Sequence, residues 1–109
     1  MTLTTEELGD MPKVDATKLR EVLSSEAFGE FAILAASKQE FIQAGNDWQP
    51  EMTWDNSESD PWVLEYRKGK QQFRAQGHFT LDQVQQSFQS YLAGTSEWHD
   101  GFVWSKLDL

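Results

Sequence analysis

The sequence predicts an α+β fold: an antiparallel sheet of about five strands, two hairpins plus a C-terminal strand, with one face covered by an 81–93 helix and a short N-terminal helix. Three observations carry this. Trp62-Val63-Leu64-Glu65-Tyr66-Arg67, the turn Lys68-Gly69-Lys70 and the return through Gln72-Phe73-Arg74-Ala75 alternate in character as a half-covered hairpin does. Thr80 and Gln83 then stand three residues apart as the two halves of a capping box, ahead of apolar residues spaced for a helix. Upstream, Phe31-Ala32-Ile33-Leu34-Ala35-Ala36 and Glu40-Phe41-Ile42-Gln43-Ala44-Gly45 flank a short polar turn, each of strand length.

Taken in order, residues 1–13 hold few apolar positions and read as an N-terminal arm, leaving 14–109 as a single α+β domain. Asp15 offers an N-cap to a helix from Ala16 to about Leu23, with Leu19, Val22 and Leu23 on one face. The first hairpin is apolar at nearly every position, which periodicity alone does not separate from a buried helix, but its length, its Phe and Ile content and the flanking Gly29 and Gly45 favour strands. From Asn46 to Pro61 runs a long loop in which Asp47, Glu51, Asp55, Glu58 and Asp60 face no Lys or Arg, with Met52-Thr53-Trp54 a candidate short strand. In the 81–93 helix Val84, Phe88, Tyr91 and Leu92 form the apolar stripe, while Gln85, Gln86, Gln89 and Ser90 are expected to face water and Gly94 to close the C-terminus. A polar connection over 95–101 leads to a last strand at Phe102-Val103-Trp104.

Composition limits what such a domain does. Its 109 residues leave room for one core, and a hydrophobic fraction of 39% with a mean hydropathy of -0.62 fits a folded, soluble chain. The formal charge of -9 argues against nucleic acid and anionic membrane, which bind clustered cations, and favours a basic protein partner. With no cysteine, thiolate nucleophiles and Cys-ligated zinc are excluded. The N-terminal stretch lacks the basic and apolar regions of a signal peptide, and cytoplasm is the expected location.

No constellation meets the demands of catalysis, and the expectation is of a protein that is not an enzyme and needs no cofactor. His78 and His99 are too few and too far apart in sequence for a helical metal pair, so no metal site is assigned. Asp55 to Asp60 is rich in oxygen ligands yet places neither Gly nor Glu where a calcium-binding EF-hand requires them. Arg67, Lys68, Lys70 and Arg74 form the one basic group, suited to guarding a strand edge or to pairing with carboxylates. The acidic loop is the better candidate: Trp48, Glu51, Trp54, Asp55, Glu58 and Asp60 combine rigid aromatic area with charge, the mix that protein interfaces favour.

Leu64-Glu65-Tyr66-Arg67, the helix end Phe88-Gln89-Ser90-Tyr91-Leu92-Ala93-Gly94 and the closing Phe102-Val103-Trp104 together resemble small acidic bacterial immunity proteins of polymorphic toxin systems and their uncharacterised relatives. The likeness covers about residues 60–105 and consists of core and cap positions, so no family site residue transfers. It implies a compact α+β domain that neutralises a cognate toxin by binding it. The leading expectation is therefore a non-catalytic bacterial protein-binding module. The alternatives are a small-molecule or metal-binding pocket between helix and sheet, and a structural homodimer joined through hairpin edges.

Overall fold

The computed structural model describes residues 1–46 and 61–107. In chain order these form β1 (Thr2–Thr5), β2 (Gly9–Met11), α1 (Ala16–Val22), a 3-10 turn (Glu26–Phe28), β3 (Phe31–Ser37), β4 (Glu40–Asn46), β5 (Trp62–Lys68), β6 (Gln71–Ala75), α2 (Leu81–Ala93), α3 (Glu97–Asp100) and β7 (Trp104–Lys106). The strands make one antiparallel sheet in the order β2-β1-β3-β4-β5-β6-β7.

The sheet thus has seven strands where about five were expected, and the two additions come from residues 1–13. Leu3 pairs with Met11 on one side and Leu34 on the other and is fully buried. Thr5, facing Ala32, is buried beside it. A stretch this short needs only Leu3 and Met11 on its inward side, so its apolar content is too low to announce a strand, while its threonines suit a pleated surface.

Alternation then sorts the sheet into two faces. Leu34, Ile42, Tyr66 and Phe73 lie in register across four strands, and Ala32, Ala44 and Leu64 across three, and these residues form one core with Leu19, Val22 and Leu23 of the α1 region and Val84 and Phe88 of α2. The other parity, including Ile33, Gln43, Glu65 and Arg74, points away from that core. The first apolar stretch is thus a hairpin of two strands, as expected, with its core side chains on one face.

Capping decides where the helices start and stop. The Asp15 carboxylate accepts from the Lys18 amide at 2.8 Å, and Thr80 and Gln83 complete a reciprocal capping box. At the other end of α2, Gly94 takes φ 79°, and the Gly94 and Thr95 amides reach the last carbonyls. Two of the glutamines expected in water instead bridge to α1: Gln89 Nε2 donates to the Ala16 carbonyl at 3.0 Å and Gln85 Nε2 to that of Arg20 at 3.4 Å. Ser90 is buried because its hydroxyl accepts the Trp98 amide at 3.0 Å, fastening the short helix α3 that replaces the expected polar connection.

The last strand starts at Trp104, two residues later than expected. Phe102 packs edge-on to Phe79 before the strand begins, Val103 is exposed, and Trp104 is the first residue to find a strand partner, Ala75. Trp62 lies next to that same Phe79: it is fully buried, 5.4 Å from the Phe28 ring, and its amide and carbonyl both bond to Phe79. Among the described residues its indole Nε1 has no hydrogen-bond partner, a cost of about 1–3 kcal/mol. Burying roughly 200 Å² of indole contributes about 5 kcal/mol, so the site is stabilising despite the orphaned donor.

Candidate functional site

Trp48, Glu51, Trp54, Asp55, Glu58 and Asp60, the expected partner surface, lie outside the described residues, as does the candidate strand Met52-Thr53-Trp54. What is described is where their segment leaves and rejoins the sheet. Asn46 and Trp62 face each other as the last register pair of β4 and β5, so both ends of the segment are attached at one end of the sheet.

Other carboxylates gather at that same end. The β1–β2 turn carries Glu6 and Glu7, and it is tied to the 3-10 turn by the Glu7 amide on the Phe28 carbonyl at 3.0 Å and the Glu30 amide on Glu6 Oε1 at 2.8 Å. The Asn46 amide in turn bonds to the Glu30 carbonyl at 2.8 Å. Glu6, Glu7, Glu26 and Glu30 are all exposed. Close approach is built in at Gly29, which holds φ 108° and leaves no room for a Cβ: one placed there would stand 2.5 Å from Glu6 Oε1.

The cations collect at the far end. The Gly69 amide donates to the Gln39 carbonyl at 2.8 Å, setting the Lys68-Gly69-Lys70 turn beside the Ser37–Glu40 turn with its Lys38. Lys38, Lys68 and Lys70 are exposed, with Glu40 facing Lys68 across the strands as a local counter-charge. These cations do not guard a strand edge, since β5 and β6 are flanked on both sides and the edges are β2 and β7. Arg74 is instead held by Glu65, and Arg67 Nε donates to the Gly69 carbonyl at 3.0 Å.

Between these two ends, the face turned away from the helices holds a shallow hollow of about 420 Å³. Phe31, Ile33 and Val63 give it an apolar side near the acidic end, Gly45 leaves its floor without a side chain, and Gln43, Glu65 and Arg74 make the polar side. Glu65 Oε1 accepts from Gln43 and Gln72, at 3.1 and 2.7 Å, and Oε2 accepts both Nε and a terminal nitrogen of Arg74, at 3.0 and 2.9 Å. Four donors fill the capacity of one carboxylate, so this group is a fixed wall rather than a free acceptor. The continuous apolar run at 31–36 contained the signal for this hollow, since half of those residues must face away from the core.

The two histidines are not brought together in one hollow. His78 borders a space of about 250 Å³ with Val63 and Arg74. His99 borders another, of about 400 Å³, with Tyr66, Lys68, Thr95 and Trp98, and its Nδ1 lies 3.3 Å from Asp100. Among the described residues, no group of three or more His, Asp or Glu side chains is placed to hold a metal ion. Tyr66 sits at the centre of an aromatic cluster, stacked on Phe73 at 4.9 Å and met edge-on by Trp98 and Trp104 at 4.9 and 4.8 Å. Burial pushes its phenol pKa up. The Tyr91 phenol is raised as well, by burial first and then by the nearby Glu40 carboxylate. Among the described residues, no helix is long and apolar enough to cross a membrane. No protein-family model, curated protein or solved structure matches this chain.

Proposed function

We propose that this protein is a non-catalytic binding module of the immunity type, which neutralises a basic, toxin-like partner by occupying it through the acidic end of the sheet. The segregation of charge along the strands is the observation that supports this reading. Four exposed glutamates stand at one end, where a segment with five further carboxylates and no cation is also attached. Such a pole orients a cationic protein during encounter and discourages docking at the lysine-bearing end.

The test is a titration of the purified protein against a basic nuclease-type toxin, at low and high salt. A variant in which Glu51, Asp55, Glu58 and Asp60 become Gln or Asn is expected to lose about tenfold or more in affinity, mostly through slower association. Unchanged binding by that variant would sink the idea.

A second reading is favoured by the aromatic hollow beside Tyr66 and Trp98. Its volume of about 400 Å³ is large enough for a small ligand. Such a ligand would protect Trp98 from fluorescence quenchers while leaving toxin binding untouched.

A further inference from the structure

We infer that the hollow beside Tyr66 and Trp98 takes a small aromatic acid, its ring packed against Trp98 and its carboxylate held by the Lys68 ammonium and the Tyr66 hydroxyl. This rests on the small-ligand reading and adds to it the class of ligand. The hollow, of about 400 Å³, is bordered by Gly94 and Thr95 at the C-terminal end of α2 and by Lys68 at the last position of β5. Trp62, where residues 47–60 rejoin the sheet, is at the other end of that strand. Tyr66, Lys68, Trp98 and His99 keep all their hydrogen bonds, ion pairs and ring contacts within the described residues.

Tyr66 is the most telling position. It is only 8% exposed, its ring enclosed by those of Phe73, Trp98, His99 and Trp104. A tyrosine so enclosed normally bonds its hydroxyl to the protein. Here the hydroxyl has no such partner among the described residues and is still reached by solvent, so it opens on the hollow that Tyr66 lines. Burial pushes its pKa up, which keeps it a donor.

The surroundings settle the sign of the ligand's charge. In a chain with 18 acidic residues, this hollow is lined by a lysine and by no carboxylate. Glu40 faces Lys68 across the strands without closing an ion pair on it, and borders only the smaller neighbouring hollow, of about 240 Å³. The end of α2 would repel an anion, but the Ser90 and Tyr91 carbonyls already accept the Thr95 and Gly94 amides. A carboxylate therefore meets two unused donors. Its ring meets a corner of three others: Tyr66, Trp98 and His99 stand pairwise edge-on, with centroids 4.9, 5.4 and 5.6 Å apart. A fourth ring packs into such a corner at the offset or edge-on geometry that aromatic pairs prefer.

The experiment titrates the full chain with 2-naphthoate, with uncharged 2-naphthamide and with acetate, following amide chemical shifts at low salt. Naphthoate is expected to bind about fivefold more tightly than naphthamide, the effect of one solvent-screened lysine and a hydroxyl, with shifts centred on Tyr66, Gly94, Thr95 and Trp98. Acetate, lacking the ring, should leave those amides unmoved at the same concentrations. Lys68→Met is expected to remove the preference for naphthoate while naphthamide binds as before. Tyr66→Phe keeps the ring and deletes only a hydroxyl that has no partner among the described residues, so it should weaken naphthoate and leave thermal unfolding unchanged.

If naphthoate and naphthamide bind equally, if Lys68→Met keeps the preference, or if Tyr66→Phe binds naphthoate as tightly as the parent chain, the aromatic-acid assignment falls and the small-ligand reading survives alone. Equal shifts with acetate would overturn the assignment too, since the ring would then contribute nothing. If none of the probes shifts the amides around the hollow, the reading and the inference fall together.

Discussion

Arg74 grips a single oxygen of Glu65 with two nitrogens, at 3.0 and 2.9 Å, while Gln43 and Gln72 share the other oxygen from the strands on either side. Three neighbouring strands are thereby tied through one carboxylate whose side chain is 13% exposed. Replacing Glu65 by Ala leaves these donors without their acceptor and is expected to cost about 1–3 kcal/mol in urea unfolding. Arg74→Ala costs less, because its side chain is half exposed and solvent screens the pair. A double-mutant cycle between the two positions should give a coupling of about 1 kcal/mol. A coupling near zero would mean that the ion pair is decorative.

Leu3 tests whether the first residues belong to the core. Leu3→Ala is expected to destabilise the protein by about 2–5 kcal/mol, the range for a leucine removed from a closed core. Leu8, in the turn between β1 and β2 and 53% exposed, is the internal control, and Leu8→Ala should change stability by no more than about 0.5 kcal/mol. Equal effects at the two positions would contradict the seven-stranded sheet.

Gly29 combines a backbone conformation that only glycine adopts readily with a contact that forbids a side chain. Its φ of 108° and ψ of -151° fall in that region, and an added Cβ would stand 2.7 Å from the Cβ of Glu6. Gly29→Ala is expected to cost about 2 kcal/mol or more. Shortening Glu6 should not rescue it, since the Glu6 Cβ itself and the backbone conformation both remain. Thermal unfolding of the single and double variants would check both statements.

Tyr66 and Tyr91 set an alkaline limit. An unfolded tyrosine ionises near pH 10, whereas both phenols have raised pKa values in the fold. Below about pH 10 folded and unfolded chains hold the same phenolic protons, so these groups give stability no pH dependence there. Above it the unfolded chain has released protons that the folded chain retains, and stability falls as pH rises through the folded pKa values. Tyr91→Phe should flatten that decline, which chemical unfolding at a series of alkaline pH values would show. Phenolate absorbance should appear at higher pH in the native protein than in urea.

The parts of the fold that were legible in the sequence are those in which local chemistry and tertiary packing agree. Thr80 with Gln83, Gly94, and the alternation from Trp62 to Ala75 each announce an element and each occupy the expected place in the structure. Position in space was harder to read than type of element. Gln85 and Gln89 look like solvent residues on any helical projection, and only the arrival of α1 gives them carbonyls to bind. Leu3 looked isolated because its partners Met11 and Leu34 are distant in the chain or weakly patterned. The hollow was hidden for a related reason: Phe31, Ile33, Gly45 and Val63 come from three strands, and no spacing within one of them shows that they share a face. The alternation seen from Trp62 to Ala75 does extend to the first hairpin, but a run apolar at every position masks it.

The order of the strands also has a consequence for how the molecule opens. Each strand pairs with a neighbour in sequence, β1 with β3 being the one pairing that skips a strand, and the two outermost strands have only three residues apiece. Detaching either outer strand breaks one ladder, whereas freeing β4 or β5 means breaking two. Amide hydrogens should therefore exchange from the margins inward, those around Asp10 and Ser105 through small local openings and those of Ile42 and Leu64 only when the whole chain unfolds. Proteolytic nicking should follow the same gradient, sparing the central strands until the rest has come apart.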